Sequence, residues 1–188
     1  MARGEWRCTT SVGEGLQPAA FNVRALTGAD LAAYKALRDR MLEAHPDAFT
    51  SDAASERAKP AASLAARLGS NGPDATRFTL GAFGDAMLLG AISCECDARP
   101  KVRHIGHLIG MMVVGAVRGQ GIGRALLDAC IARARGAGLE MLTLSVTAGN
   151  APASSLYLRA GFVRYGSLPR AIKQGGSYLD KDLMLLDL

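Results

Sequence analysis

The chain has 188 residues, of which 49% are hydrophobic and 21% charged, and its formal net charge is +5. This length suits one domain with a real core, and the composition argues against disorder. Aromatic residues make up only 5%, and no dense run of Lys and Arg occurs, so nucleic acid is not expected as a partner.

Segment composition and cysteine usage predict a cytoplasmic protein. No apolar stretch reaches the roughly 18 residues that a membrane span needs, and no N-terminal segment joins a basic start to an apolar run. The four cysteines include no CxxC pair, which is typical of a reducing compartment. Residues 1–20 lack periodicity and are expected to form a loose tail before a single domain over 21–188.

The first part of the domain alternates strand and helix patterns. "FNVRAL" (21–26) alternates like a strand, and Thr27 with Asp30 predicts a capping box. A helix follows, with apolar residues at helical spacing, and ends near "HPDAF" because the residue before a proline disfavours helical geometry. A loop and a second helix ending at Gly69 are expected next, and "SNGPD" (70–74) is typical of a turn.

The rest of the chain predicts a mixed sheet. "RFTLGAF" and "MLLGAISCEC" are expected to form a hairpin, and "HIGHLIGMMVV" a third strand that ends beside a glycine-rich loop. A helix up to Gly136, the strand "MLTLSV", the helix "NAPASSLYLRAGF" and a last strand "SYLDKDLMLLDL" follow, while 165–178 is expected to be a long connection. Hairpins and crossovers together require an α/β or α+β arrangement.

The stretch "VRGQGIGRALL" places Gly119, Gly121 and Gly123 between that third strand and the following helix. Such a turn presents unpaired N–H groups and a positive dipole end, which together favour an anion. Missing Cβ atoms would let a phosphate reach the backbone. No Lys-Ser or Lys-Thr follows the last glycine, and Arg124 occupies the position of the third glycine of GxGxxG, which disfavours Walker and Rossmann sites.

"RGQGIG" resembles the Arg/Gln-x-x-Gly-x-Gly/Ala signature of the GNAT (GCN5-related) N-acetyltransferases, and the strand "GMMVV" precedes it as in that family. "LTLSV", "NAPA" and "SLYLRAGF" resemble the family's second block. The resemblance covers residues 21–188 in element order and is close from about 104 to 165. It implies a mixed, mostly antiparallel central sheet flanked by helices.

The resemblance also implies a site for acetyl-CoA as co-substrate. Tyr157 matches the family's general acid, although a packed core aromatic is an alternative. Asn150 would bind the pantetheine arm, and the strand would splay from its neighbour, pair with the pantetheine amides and offer an N–H to the oxyanion. The implied cofactor-binding residues are Met111, Met112, Val113, Arg118, Gly119, Gln120, Gly121, Ile122, Gly123, Arg124 and Asn150.

The general base is left open among four residues or a water: Glu95, Asp97, His104 and His107. No metal is expected, because His104 and His107 lack a third ligand at suitable spacing. Phe49 and Glu56 lie in the segment that usually shapes the acceptor pocket of the family.

The expected function is transfer of an acetyl group from acetyl-CoA to a primary amine of a small molecule or protein. Two alternatives stay open: a non-catalytic CoA-binding sensor module, and an acyltransferase that uses a longer acyl-CoA. A homodimer is a further expectation, because members of the family often pair through C-terminal strands and "LMLLDL" would be an apolar terminal edge.

Overall fold

The computed structural model of the chain describes residues 20–69 and 77–188. The predicted tail, apart from Ala20, and the predicted turn at 70–74 lie outside these residues, so both stay predictions. None of the helices in the described ranges is long and apolar enough to cross a membrane.

Seven strands of the described chain form one sheet, with the order β1-β2-β3-β4-β5-β7-β6. Neighbouring strands are antiparallel except β4 and β5, which are parallel. This confirms the mixed, mostly antiparallel sheet. The strands are β1 (Asn22–Ala25), β2 (Phe78–Gly84), β3 (Met87–Cys96), β4 (Ile105–Val113), β5 (Met141–Thr147), β6 (Val163–Gln174) and β7 (Ser177–Asp187).

Helices flank both faces of the sheet. The Asp30 carboxylate accepts hydrogen bonds from the backbone N–H and hydroxyl of Thr27, which confirms the capping interaction; a 3₁₀ turn then leads into α1. Pro152 lies in the first turn of α5, and Gly161 follows its end, as predicted. The helices are α1 (Leu31–Ala44), α2 (Ala53–Arg57), α3 (Ala65–Leu68), α4 (Ile122–Gly136) and α5 (Ala151–Arg159).

Strand alternation divides the apolar residues between two cores. Ile92 and Cys94 of β3 belong to a cluster with α4 residues such as Leu126 and with Tyr157 of α5. Ala91 instead packs with residues of α1, with Leu64, which directly precedes α3, and with Leu68 at the end of α3. The sheet therefore has one face covered by α4, the α4 face, and one covered by α1, the α1 face. A cavity between two separated strands can connect these two faces.

The structure corrects the prediction for residues 165–178, which are not a loop connection. Most of this segment belongs to β6, which pairs with β7 in a long hairpin. Two register shifts in that pairing, between Arg164 and Gly166 and between Leu168 and Ile172, break the alternation from which a strand is recognised. Pro169 is tolerated because β6 is an edge strand.

The C-terminal strand does not form the edge of the sheet on which the dimer expectation rests. The segment "LMLLDL", apart from its last residue, belongs to β7, which is paired on one side with β5 and on the other with β6. The strand at that edge of the sheet is β6, where Val163, Tyr165 and Leu168 are exposed. The homodimer itself stays a prediction.

Candidate active site

The parallel strands β4 and β5 separate in the middle of the sheet. They pair only over Ile105–His107 and Met141–Thr143, so the edge of β4 that faces β5 has no strand partner beyond His107 within the described chain. A cavity of about 270 Å³ opens where the strands part. Its wall includes β4 from Leu108 to Met111 and Ser145 and Val146 of β5.

A bulge at Gly110 shapes the β4 side of this cavity. The register with β3 shifts between Ala91 and Ser93, and Gly110 has a φ of +61°. A side chain is strained at such a φ, which accounts for the glycine. Beyond the bulge, Met112 is buried in the core under α1, whereas Met111 and Val113 pack against the core under α4. Only Met111 of these three lines the cavity.

The glycine loop ends at the N-terminus of α4. Gly119 and Gly121 have φ values of +81° and +82°, and Gly121 is the N-cap of the helix. A Cβ at either position would meet no atom within 4 Å, so backbone conformation, and not crowding, accounts for these two glycines. Gly123 is different because it lies within the helix, where a Cβ would be 3.5 Å from Leu156 and Met111.

The first N–H groups of α4 have no acceptor within the helix, and they point outward with the positive end of the helix dipole. Ile122 anchors this end of the helix in the core, whereas Gln120 is exposed. Arg118 is also exposed, and its Nη2 donates to Nε2 of His45 over 2.7 Å. Arg124 binds Asp128 and the carbonyl of Arg159, so it ties α4 to the end of α5.

Tyr157 lies on the α4 face and contributes to the cavity wall. Its ring packs edge-on against Phe162, with 5.8 Å between the ring centroids, and only 7% of the residue is exposed. Burial is the main cause that raises the pKa of Tyr157 to about 12, with a smaller contribution from Cys130. The phenol is therefore held in its protonated form, as an acid must be before it donates.

Asn150 lines the cavity beside Tyr157 and also caps α5. Its side-chain oxygen accepts from the backbone N–H of Ala153 over 3.3 Å. This leaves the NH₂ group of the side chain to donate to a ligand. The capping role was not predicted, although an Asn two residues before Pro152 is a typical helix start.

The opposite wall of the cavity, on the α1 face, was largely missed by the sequence analysis. We call it the α1 wall, and it consists of Arg38, Phe49, Thr50, Ser51, Arg67, Ser145 and Lys181. Phe49 lies in it as the resemblance implied. Glu56 does not line the cavity itself but binds Arg38, with 3.1 Å between Oε2 and Nε.

The candidate bases do not lie in this cavity. Glu95, Asp97 and His107 line a separate, shallow depression with Arg77, and His104 lines neither. The guanidinium of Arg99 binds the carboxylate of Asp97 and holds its pKa at about 2, which makes it a weak proton acceptor. His107 shares a hydrogen bond of 2.6 Å with the hydroxyl of Thr143. Within residues 20–69 and 77–188, no three His, Cys, Asp or Glu side chains form a group that could hold a metal.

Comparisons with known proteins agree with this geometry. The family model "Acetyltransferase (GNAT) family" matches residues 34–162, which is more than half of the chain. An L-methionine sulfoximine/L-methionine sulfone acetyltransferase of Pseudomonas aeruginosa is 39% identical over 71 residues. That segment is 38% of this chain and 41% of the relative, so the match spans less than half of either protein.

Solved structures match over a larger part of the chain. An acetyltransferase of the GNAT family from Streptococcus pneumoniae aligns with a TM-score of 0.76 and 28% identity, over 90% of this chain and all of that one. A structure from Salmonella typhimurium with its cofactor acetyl-CoA aligns with a TM-score of 0.77 and 22% identity, over 90% of this chain and 94% of that one. The second likeness shows the fold alone.

Proposed function

Because the chain belongs to the acetyltransferase (GNAT) family, we propose that it transfers an acetyl group from acetyl-CoA to a primary amine of a small molecule or protein by direct attack. The observation that carries this proposal is the separation of β4 and β5 directly beside the glycine loop, with Tyr157 in the wall of the resulting cavity. The fold shared with the Salmonella structure that holds acetyl-CoA supports the choice of acyl donor.

The residues at the start of α4 fit a pyrophosphate. The N–H groups between Gly119 and Arg124 would donate to it, since the helix itself supplies no acceptor for them. The open space at Gly119 and Gly121 leaves the backbone accessible to such an anion. Arg118 would add positive charge beside the loop and would have to share its guanidinium with His45.

The unpaired edge of β4 would hold the pantetheine arm as a neighbouring strand would, by hydrogen bonds to its amides. The side-chain NH₂ of Asn150 would add a donor from α5. These contacts would bring the thioester, which supplies an activated acetyl group, to the cavity beside Tyr157. A backbone N–H of Met111–Val113 would then stabilise the negative charge on the carbonyl oxygen.

The amine must be neutral to attack, and an ordinary alkylamine has a pKa of about 10.4, so it first loses a proton to water or to a base reached through water. The amine nitrogen then bonds to the carbonyl carbon and the C–S bond breaks. Tyr157 would donate its hydroxyl proton to the departing sulfur and regain one from solvent. The amide nitrogen releases its remaining extra proton to water.

Thermal unfolding with acetyl-CoA tests the binding step, and release of CoA thiol tests the reaction. A ligand that binds only the folded state at 100 times its Kd stabilises that state by about 2.7 kcal/mol, so the Tm should rise clearly. The acceptor panel should contain L-methionine sulfone, which the name of the Pseudomonas relative suggests, with amino acids, diamines and short peptides. Absence of any Tm shift contradicts the acetyl-CoA site, whereas a shift without CoA release from any acceptor favours the sensor module.

A further inference from the structure

The α1 wall of the cavity carries a concentration of positive charge. Arg38, Arg67 and Lys181 all line it, and no Asp or Glu among the described residues does. An amine acceptor would enter a cavity with this wall, yet a wall of cations repels a ligand that is only positive. The charge therefore bears on which amines the site can accept.

These basic groups are held in position by neighbouring polar groups. Arg38 is only 3% exposed, and its Nη2 donates to the hydroxyl of Ser51 over 2.8 Å. Lys181 donates from β7 to the hydroxyl of Thr50 over 2.7 Å and lies 3.4 Å from that of Ser145. The arrangement thus joins α1, the loop after α1 and two strands around one space.

Arg67 is anchored through its backbone. The buried hydroxyl of Thr79 donates to the Arg67 carbonyl over 2.7 Å and lies 2.8 Å from the hydroxyl of Ser93. The Ser93 hydroxyl is in turn 3.4 Å from that of Tyr34. This buried network fixes the end of α3, and with it the point from which the Arg67 side chain reaches the cavity.

Among the residues that the structure describes, the positive charges on the wall are only partly balanced. Glu56 neutralises Arg38 but also binds Lys59, with 2.6 Å between Oε1 and Nζ. The partners of Lys181 are neutral hydroxyls, and burial lowers the pKa of its ammonium. Arg67 has no acidic partner within the described residues. Unbalanced charge at a half-buried site is costly, and a bound anion would relieve that cost.

We infer that the acceptor is a free amino acid, whose carboxylate binds Arg67 and Lys181 while its α-amine points toward the thioester and Tyr157. This inference rests on the proposed function and specifies its acceptor. A cavity of about 270 Å³ suits a small molecule of this kind. The same cations lower the pKa of an amine bound beside them, which favours the neutral form that attacks. Diamines and lysine side chains gain nothing from such a wall.

Matched acceptors test the inference. Each amino acid of the panel is compared with its primary amide and with a dipeptide that begins with the same residue, and kcat/KM is measured from CoA release. The free acid should exceed its amide by about tenfold or more, since the amide keeps the amine but lacks the carboxylate that the cations bind. Equal or faster acetylation of amides or dipeptides overturns the inference in favour of a protein N-terminus and leaves the proposed function intact.

Variants separate charge recognition from packing. Arg67→Gln should raise KM for the free amino acid by about tenfold with little effect on the amide, and Arg67→Lys should recover part of the loss, because lysine restores the charge but not the planar guanidinium. Lys181→Gln provides a second test, since Gln can still donate to Thr50. The control is Arg40→Gln, which makes the same charge change at an exposed position of α1 outside the cavity.

Two further outcomes contradict the inference. Equal losses for the acid and the amide in both variants would show that Arg67 and Lys181 only support the wall. Binding of acetyl-CoA without acetylation of any free amino acid would also contradict it, because the panel contains the inferred class. A protein that fails to bind acetyl-CoA at all is distinguishable from both, since that result contradicts the proposed function itself.

Discussion

Nη2 of Arg118, the first residue of the glycine motif, lies 2.7 Å from Nε2 of His45. His45 directly follows α1 and begins the segment that contributes Phe49, Thr50 and Ser51 to the cavity. The guanidinium can only donate, so the contact requires an unprotonated Nε2 on His45. One hydrogen bond thus connects the expected phosphate site with the α1 wall.

The acid limb of the stability profile should depend on His45. Burial, and secondarily the charge of Arg118, lower the pKa of His45 below its ordinary value of 6.5. The unfolded chain therefore takes up this proton at a higher pH than the folded chain does. Stability is retained above about pH 6.5 and falls as the pH drops from there through the folded pKa.

His45→Gln should accordingly flatten the fall in Tm below about pH 6.5, measured by thermal unfolding across a pH series. Arg118→Gln should flatten it only in part, since burial remains as the larger cause. An acid limb that is unchanged in His45→Gln would show that this histidine does not carry the effect.

Gly121→Val should weaken acetyl-CoA binding while the fold persists. A β-branched residue at a φ of +82° costs about 1–3 kcal/mol or forces the loop to rearrange, even though its Cβ would meet no neighbour. Rearrangement would displace the N–H groups, and a side chain held at the native φ would occupy the open space through which the phosphate approaches, so calorimetry should show at least about tenfold lower affinity.

The control is Gly136→Val, because Gly136 is equally open but lies outside the left-handed region. That variant should bind acetyl-CoA as the parent does. Unchanged affinity in Gly121→Val, with the protein folded, would place the pyrophosphate elsewhere.

The proposed cofactor half of the site was easier to infer from the sequence than the proposed acceptor half, for a physical reason. The glycine loop, α4 and α5 lie within one stretch of chain, so their caps, turns and apolar spacing are local signals. The α1 wall joins Arg38, Arg67, Ser145 and Lys181 from four distant segments, and only tertiary structure brings them together. The sequence did contain an indication that Arg38 is a buried charged residue, because it lies four residues after buried Tyr34 on the apolar face of α1.

The sheet shows the same division. β1 to β5 follow patterns that alternation or apolar runs reveal, whereas the bulges of β6 hide that strand. The sequence pattern places the candidate bases on or beside the strands that border the cavity. It cannot show whether their side chains face the cavity, because that depends on the register between strands. The register puts Glu95 opposite His107, at the end of β4 where β5 is still paired, and therefore away from the opening.

Asn150 variants should separate its two roles. Asn150→Ala removes the cap of α5 as well as the NH₂ donor, and should lower stability by about 1 kcal/mol together with acetyl-CoA affinity. Asn150→Asp keeps an acceptor for the Ala153 N–H, loses the donor and adds a negative charge, which the N-terminus of α5 accommodates. It should therefore retain the parental Tm while calorimetry shows weaker acetyl-CoA binding; equal affinity in Asn150→Asp would limit this residue to capping.

Tyr157→Phe tests proton donation to the departing sulfur. Phenylalanine keeps the edge-on packing against Phe162 and removes only the hydroxyl, so the Tm and acetyl-CoA affinity should change little. If Tyr157 is the general acid, kcat should fall by about 10²-fold or more, measured as CoA release under saturating substrates.

The pH dependence provides an independent check on the same residue. Because burial raises the pKa of Tyr157 to about 12, the phenol stays protonated well above the usual pKa of a tyrosine, about 10. The rate of the parental enzyme should therefore not fall near pH 10 through ionisation of Tyr157. The Tyr157→Phe variant should consequently show no change in the pH profile in that range. A nearly parental kcat in the Tyr157→Phe variant would identify the ring as a core aromatic, and the sulfur would then receive its proton from another donor.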